Sequence, residues 1–401
     1  MSRNRRRWIP AVLAPVVVAG SIFGFSVQAN AAIDLPDKSA SQILQLLNTK
    51  PDIAFSGRIV KKASMGLPPM NIVPDISQSM IDEAKKRMPK EMSDFLPKAS
   101  AQGELALALE FFAGTHKANI YVDGAEKMRL QVLDLLSERD FIRNGADLWS
   151  YDATKSLAQH SLINEADVKR AEAQAKKIFD ANKGKLPFDY TSPAAVADYL
   201  LAQGGKYATL TVASDIKVAG RGAYQITMTP KSNQSLVASA TIAVDAATGL
   251  PLAARVNAVG QDSPAFEVAF ETITFETPAA SNFAFNPPAG TRVVEVPAPT
   301  KADVLRQLAQ APALPSEADA KAKLTDLMNQ GWGAVAKVPA AQVPAELRLL
   351  QANNSLYKEL TKPVAGGRVF TSALMNIFFA DNGDIYAGSV TVARLLDVAA
   401  K

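Results

Sequence analysis

Two imidazoles, His116 and His160, are the side chains of this 401-residue chain that titrate near neutral pH, and there is no cysteine. General acid–base chemistry would start from those histidines. Each lies in an alternating, strand-like segment without a metal-spaced or nucleophilic partner, so both are expected to be ordinary surface or packed residues. The absence of thiols removes disulfides, thiolate catalysis, lipidation at a lipobox and the usual structural zinc sites. Glu267 and Glu271 stand four apart in a strand, on one face, with Phe266, Val268 and Phe270 on the other. An outward polar face is the reading for that pair. No Gly-rich phosphate loop, serine-hydrolase elbow or zinc-protease pair occurs, and Gly204-Gly205 and Gly220-Arg221-Gly222 are expected in turns. The residues that could do chemistry therefore argue against an enzyme and imply neither cofactor nor metal.

Residues 1–31 place Arg3, Arg5, Arg6 and Arg7 before an apolar run from Trp8 to Val27 and then Ala29-Asn30-Ala31, the order of a secretory signal peptide. An uncleaved N-terminal anchor is the competing reading, because about twenty apolar residues can also span a bilayer. Either way the chain is expected to work outside the cytoplasm, in the cell envelope or secreted. The formal charge of +4 is set by those arginines, and the remainder is balanced, which gives no electrostatic footprint for nucleic acid.

Stepping along the rest, Ser39 to Leu47 predicts a short amphipathic helix and Ile53 to Val60 a strand. From Thr115 to Leu162 the hydrophobic period is two, with turns at Asp123-Gly124, Asn144-Gly145 and Asp152 to Lys155, a series of hairpins. Helices are expected over Glu165 to Ala181 and, opened by Ser192-Pro193, over Ala194 to Leu201. Five further strands follow between Ala208 and Phe275, so about ten strands are available, enough to curl strongly. Val293 to Ala313 has the composition of a linker. The organisation expected is 1–31 signal peptide, 32–300 main domain with an insertion over 61–98, and 301–401 a small α+β segment with a helix near Ala318 to Met328 and a strand pair around Asn382-Gly383. The fold class is α+β: an open, highly curved antiparallel β-sheet, a half-barrel, with a helical lid.

The insertion holds five of the ten methionines, and Ser77 to Met88 places Met80, Ile81, Ala84 and Met88 at helical spacing opposite Asp82, Glu83, Lys85, Lys86 and Arg87. Such a helix needs an apolar surface to cover, and methionine suits variable apolar partners; a helix packed permanently as core is the alternative. A strongly curved sheet with an apolar inner face offers such a surface. The candidate ligand-binding residues are Met70, Ile76, Met80 and Met88 in the lid, and Ile120, Val122, Leu130, Val132, Tyr224, Ile226, Phe266 and Phe270 on the sheet. The ligand class expected is the acyl chain of a lipid or lipoprotein, which apolar burial recognises without any catalytic group. A scaffold whose curved sheet is filled by its own side chains is the contrasting reading.

Four motifs occur in order: Arg143-Asn144-Gly145-Ala146-Asp147-Leu148-Trp149-Ser150-Tyr151-Asp152, Val218-Ala219-Gly220-Arg221-Gly222-Ala223-Tyr224, Asp245-Ala246-Ala247-Thr248-Gly249-Leu250-Pro251 and Phe283-Ala284-Phe285-Asn286-Pro287-Pro288-Ala289-Gly290. With them the chain resembles the LolA/RseB-like lipoprotein-carrier superfamily over roughly Ala32 to Val296, in a longer layout similar to that of Gram-positive envelope proteins. The resemblance implies a half-open barrel closed by helices around acyl chains or, as in some relatives, a regulator that binds an anti-sigma factor or other membrane partner. It gives Asp245 to Pro251 a structural role and transfers no ligand-contact residue. The 61–98 insertion is longer than expected of the small periplasmic carriers, and the segment after Lys301 is not covered by the resemblance.

Overall fold

The computed structural model describes residues 35–48, 53–66, 113–134, 137–163, 193–296, 330–343, 348 and 355–401. Among them, twelve strands form one sheet. Its first six are β1 (Phe55–Ser64), β2 (Ala113–Asp123), β3 (Lys127–Asp134), β4 (Ser137–Asn144), β5 (Asp147–Asp152) and β6 (Leu157–Leu162). The others are β7 (Ala208–Val218), β8 (Arg221–Pro230), β9 (Val237–Asp245), β10 (Pro251–Ala258), β11 (Phe266–Thr274) and β12 (Arg292–Glu295). The spatial order is β12-β6-β5-β4-β3-β2-β1-β11-β10-β9-β8-β7. Strands consecutive in sequence pair antiparallel within β1 to β6 and within β7 to β11, and β1 joins the two runs by pairing with β11. The turns form where the sequence supplies residues for positive φ: Gly124 at 68° after Asp123 and Gly145 at 58° after Asn144.

The sheet is open and strongly bent, and β-bulges mark where it bends. The ladder shifts between Arg58 and Ile59 against β11, between Pro251 and Ala253 against β9, and between Ala213 and Ile216 against β8. Beyond the first shift β11 follows β1 as far as Thr274, whereas it pairs with β10 only as far as Ala269. The lower ends of β10 and β11 diverge there, and β7 bends back to touch β11. One apolar cluster then joins Phe55, Ile59 and Ile120 to Ile216, Val218, Ala223, Ala243 and Leu252 of the other half.

Helix α1 (Ala40–Asn48) forms where Ser39 and Gln42 make a capping box: Ser39 N–H donates to Gln42 Oε1 at 2.8 Å and Gln42 N–H donates to Ser39 Oγ at 3.2 Å. Its apolar stripe puts Ile43, fully buried, onto Tyr224, Ile226, Ile242 and Val244. Ser41 Oγ donates to Asp198 Oδ1 at 2.6 Å and ties α1 to helix α2 (Pro193–Tyr207). The second helix runs six residues past its expected end at Leu201 and includes Gly204 and Gly205, which are therefore not in a turn. Tertiary partners offset the low helix propensity of glycine here. Lys231 Nζ donates to Gly205 O at 2.6 Å, Lys231 N–H donates to Tyr207 O at 2.8 Å, and the Tyr207 ring lies against Gly331.

A second, antiparallel sheet of five strands, β13 (Ala336–Val338), β14 (Thr361–Val364), β15 (Gly367–Thr371), β16 (Asn376–Ala380) and β17 (Ile385–Gly388), is ordered β13-β17-β16-β15-β14. Helix α3 (Ser355–Leu360) precedes β14, and helix α4 (Val392–Ala399) packs Leu395 against Val335, Phe378, Tyr386 and Val390. Asn382-Gly383 forms the expected turn between β16 and β17. The two sheets are joined: Leu236 N–H donates to Ser389 O, Thr391 N–H to Gln234 O and Ala373 N–H to Met65 O. One edge departs from the antiparallel expectation, because β12 lies parallel to β6. The stretch from Val293, expected to begin a linker, thus opens inside β12. The signal segment, the helices expected over Glu165 to Ala181 and Ala318 to Met328, and the boundary at Lys301 lie outside the described residues.

Candidate functional site

The strand register places Ile120, Val122, Leu130, Val132, Tyr224, Ile226, Phe266 and Phe270 on one face of the large sheet. Ile120 pairs with Leu130 and Val132 with Ala118; Ile59 links Ala118 to Phe270, and Ala63 pairs with Phe266. From there Val256 and Ala254 carry the same face to Ile242, which pairs with Ile226, and Val244 pairs with Tyr224. Period-two alternation makes this a single apolar surface from β3 through β1 to β8 once the pairing is fixed. Met70, Ile76, Met80 and Met88 lie outside the described residues.

The chain itself covers much of this face. Tyr224 and Ile226 are buried beneath α1, and Tyr224 Oη donates to Pro36 O at 2.9 Å. Phe266 is buried among Ala63, Met65, Ala258 and Ala265, with Ala373 and Leu374 of the C-terminal unit beside it. Phe270 meets Phe55 edge-on at a centroid distance of 6.1 Å. Ile120 is buried with them. These five are core residues. The partly exposed part of the face lies further along, where Val122, Leu130 and Val132 adjoin Met128, Phe141 and Leu148, all of them half-buried. The upper end of the face is polar: Lys61, buried, donates to Ala113 O at 3.0 Å, and the ring of its cross-strand neighbour His116 contacts the same carbonyl.

At the lower end, where β10 and β11 diverge, a cavity of about 500 Å³ opens between the Asp123-Gly124 and Thr248 turns, with Ile53, Ala54, Phe275 and Thr277 completing its wall. Phe275 continues the apolar face through Phe55, 6.2 Å away, and the Arg221 guanidinium stacks over the Phe275 ring at 4.4 Å. Arg221 is held by Asp245. That buried carboxylate also accepts from Thr248 N–H and Thr248 Oγ1 at 2.8 Å each and from Ala247 N–H at 3.1 Å. Burial opposes the charge on Asp245, but the bonds from Arg221 and Thr248 outweigh it and hold the carboxyl below its ordinary range. The Asp245 to Pro251 motif is thus a self-capped turn, as its expected structural role requires.

On β1 to β4 the opposite face carries a polar ladder. Arg58 donates to Asn119, Asn119 to Gln131 at 2.9 Å, and Gln131 to Glu138 at 2.6 Å, while Arg129 clamps the buried Asp140 with two bonds of 2.9 Å. Burial, with Glu138 alongside, raises the Asp140 carboxyl above its ordinary range against the pull of Arg129. Glu271 is half-exposed between Arg58 and Lys117, but Glu267, expected to face outward, is buried between Lys62 and Arg255. Lys62 on β1 and Arg255 on β10, one on each side of Glu267, supply the counter-charge that its burial demands.

His160 is more than a packed histidine. Its ring stacks on Trp149 at 4.2 Å, Nε2 lies 2.9 Å from Asp147 Oδ1, and Nδ1 lies 2.9 Å from Glu295 Oε2. Phe285 packs on Trp149 and Tyr151 from above. Asp147, Trp149 and His160 are hairpin neighbours, but Glu295 is 135 residues on and no local pattern points to it.

No family model and no curated protein matches the chain. Solved structures do: MucB, 14% identical over 62% of each chain with a TM-score of 0.31, and the MucA/MucB complex of Pseudomonas aeruginosa, 13% identical over 90% of this chain and 96% of that one with a TM-score of 0.38. The LolA superfamily protein NE2245 from Nitrosomonas europaea is 9% identical over 62% of this chain and 99% of that one, with a TM-score of 0.21. The solved structures to which this chain is similar therefore carry the names MucB and LolA superfamily protein.

Proposed function

We propose that this protein is an exported carrier of the cell envelope that holds the acyl chains of a lipid or lipoprotein against the apolar face of its bent sheet. In this reading the Met65 to Leu96 segment and the stretch from Glu165 to Leu201, most of which lie outside the described residues, gate the access. The observation that carries this reading is the half-exposed apolar strip Val122, Met128, Leu130, Val132, Phe141 and Leu148, continuous with a buried core on one side. An acyl chain of about fourteen carbons laid on such a strip would gain on the order of 10 kcal/mol before ordering costs, so binding needs no catalytic group. Among the described residues no helix is long and apolar enough to cross a membrane.

The test is mass spectrometry of organic extracts from the purified protein, wild type against a Leu130→Asp/Val132→Asp variant. Stoichiometric lipid is expected from the wild type and at least a tenfold loss from the variant, at unchanged circular dichroism. Protein that yields no lipid above a mock preparation would sink the carrier reading. A second reading, a regulatory module that binds the extracytoplasmic part of a membrane protein, is favoured by Val259 and Met375. These apolar side chains are 63% and 41% exposed, at the seam that runs from Val259 through Leu236 and Ser389 to Leu374. Under that reading Met375→Asp abolishes partner capture and leaves lipid content unchanged.

A further inference from the structure

The edge strand β12 is the last described element before the connection to the C-terminal unit, and β6 is its one neighbour in the sheet. It pairs in parallel over four residues, Arg292 to Glu295 beside Leu157 to His160, and outside that ladder Arg292 N–H donates to Ser156 O at 2.8 Å and Val296 N–H to His160 O at 2.7 Å. Its side-chain attachment is Glu295 on His160. The His160 side chain is 13% exposed and has a carboxylate against each ring nitrogen, Asp147 from β5 and Glu295 from β12. A neutral imidazole carries one N–H and can donate to only one of them; the other carboxylate then faces a ring lone pair. The imidazolium donates to both. Trp149 below the ring and Ala158 beside it are uncharged, and Asp147 and Glu295 are the charged groups described against it.

We propose that His160 is a pH-sensitive latch: as the imidazolium it clasps β12 to β6, and on losing a proton it lets the strand go. Burial works against the charged ring, and the two carboxylates outweigh it, so the pKa lies above the ordinary 6.5. Because the folded value is raised, the clasp is fully made below 6.5 and is lost as pH rises through the higher folded value. Release adds the length of β12 to the connection between the large sheet and the C-terminal unit. The same ladder then ends at β6, whose edge is newly free to pair.

The test uses the full chain with Trp8→Phe and Trp332→Phe, so that emission reports Trp149 alone. A charged imidazole quenches an indole stacked on it, and emission is expected to rise along one titration with a midpoint above 6.5. Over the same range, hydrogen exchange in a peptide spanning 290–297, corrected for the chemical exchange rate, is expected to speed up by roughly tenfold per unit by which the midpoint exceeds the ordinary value. Glu295→Gln keeps the strand's length and removes one charge; it should lower the midpoint and halve the exchange response or more. His160→Gln should abolish the emission change. A midpoint at or below 6.5 overturns the latch. So does a normal Trp149 titration with β12 exchange equal at about pH 5.5 and about pH 8.5.

Discussion

Asp245 shows what one buried carboxylate does when both of its oxygens are engaged. It is fully buried and receives a guanidinium, two backbone N–H groups and a hydroxyl, so its charge is compensated where water cannot reach. Asp245→Ala strands Arg221 beside Phe275 and leaves the Thr248 turn without its acceptor, and breaking a buried pair by removing one partner costs about 3–5 kcal/mol. Urea denaturation at neutral pH should register that loss. Since the carboxyl's folded pKa is held below the ordinary 3.8, its contribution is present above 3.8 and fades as pH falls through the lower folded value. The gap between wild type and Asp245→Ala should therefore narrow in acid, and a gap that stays constant down to about pH 2 would show that hydrogen-bond geometry, not charge, holds the turn.

Among the elements, α1 carries weight out of proportion to its nine residues. A helix this short is not stable alone, so its existence depends on the capping box at Ser39 and on the apolar stripe it presents to β8 and β9. Ile43 touches four buried side chains there, and Ile43→Ala should cost about 2–4 kcal/mol and lower the melting temperature measured by circular dichroism. The loss should be cooperative, because Ser41 also ties the helix to Asp198 of α2. The elements were readable where local chemistry decides them. The Asn144-Gly145 hairpin and the Asp245 to Pro251 turn form where their turn residues stand, and the alternating rows became strands. The end of α2 was not readable, because Gly204 and Gly205 are held helical by Lys231 and by the packing of Tyr207, which lie outside the helix in sequence.

At the scale of the whole molecule, the C-terminal unit is stitched to the large sheet at three backbone hydrogen bonds and by Ala373 and Leu374 against the pocket of Phe266. A unit attached this way should not melt by itself. Differential scanning calorimetry is expected to show a single transition, and removal of residues 301–401 to destabilise the large sheet by uncovering Met65 and Phe266. Two separate transitions would instead mean that the seam is marginal. Composition and period two were enough to determine a sheet-rich, thiol-free chain with an apolar row on each strand, because turn chemistry and alternation act over a few residues. Which rows share a face, that β1 pairs with β11, that Tyr224 and Ile226 lie under α1 as core rather than facing a ligand, and that His160 meets Glu295 were decided only by the tertiary structure. Those outcomes depend on the register between residues up to 218 positions apart, Ser56 and Thr274, and on bulges that redirect the strands, and neither leaves a local mark on the chain.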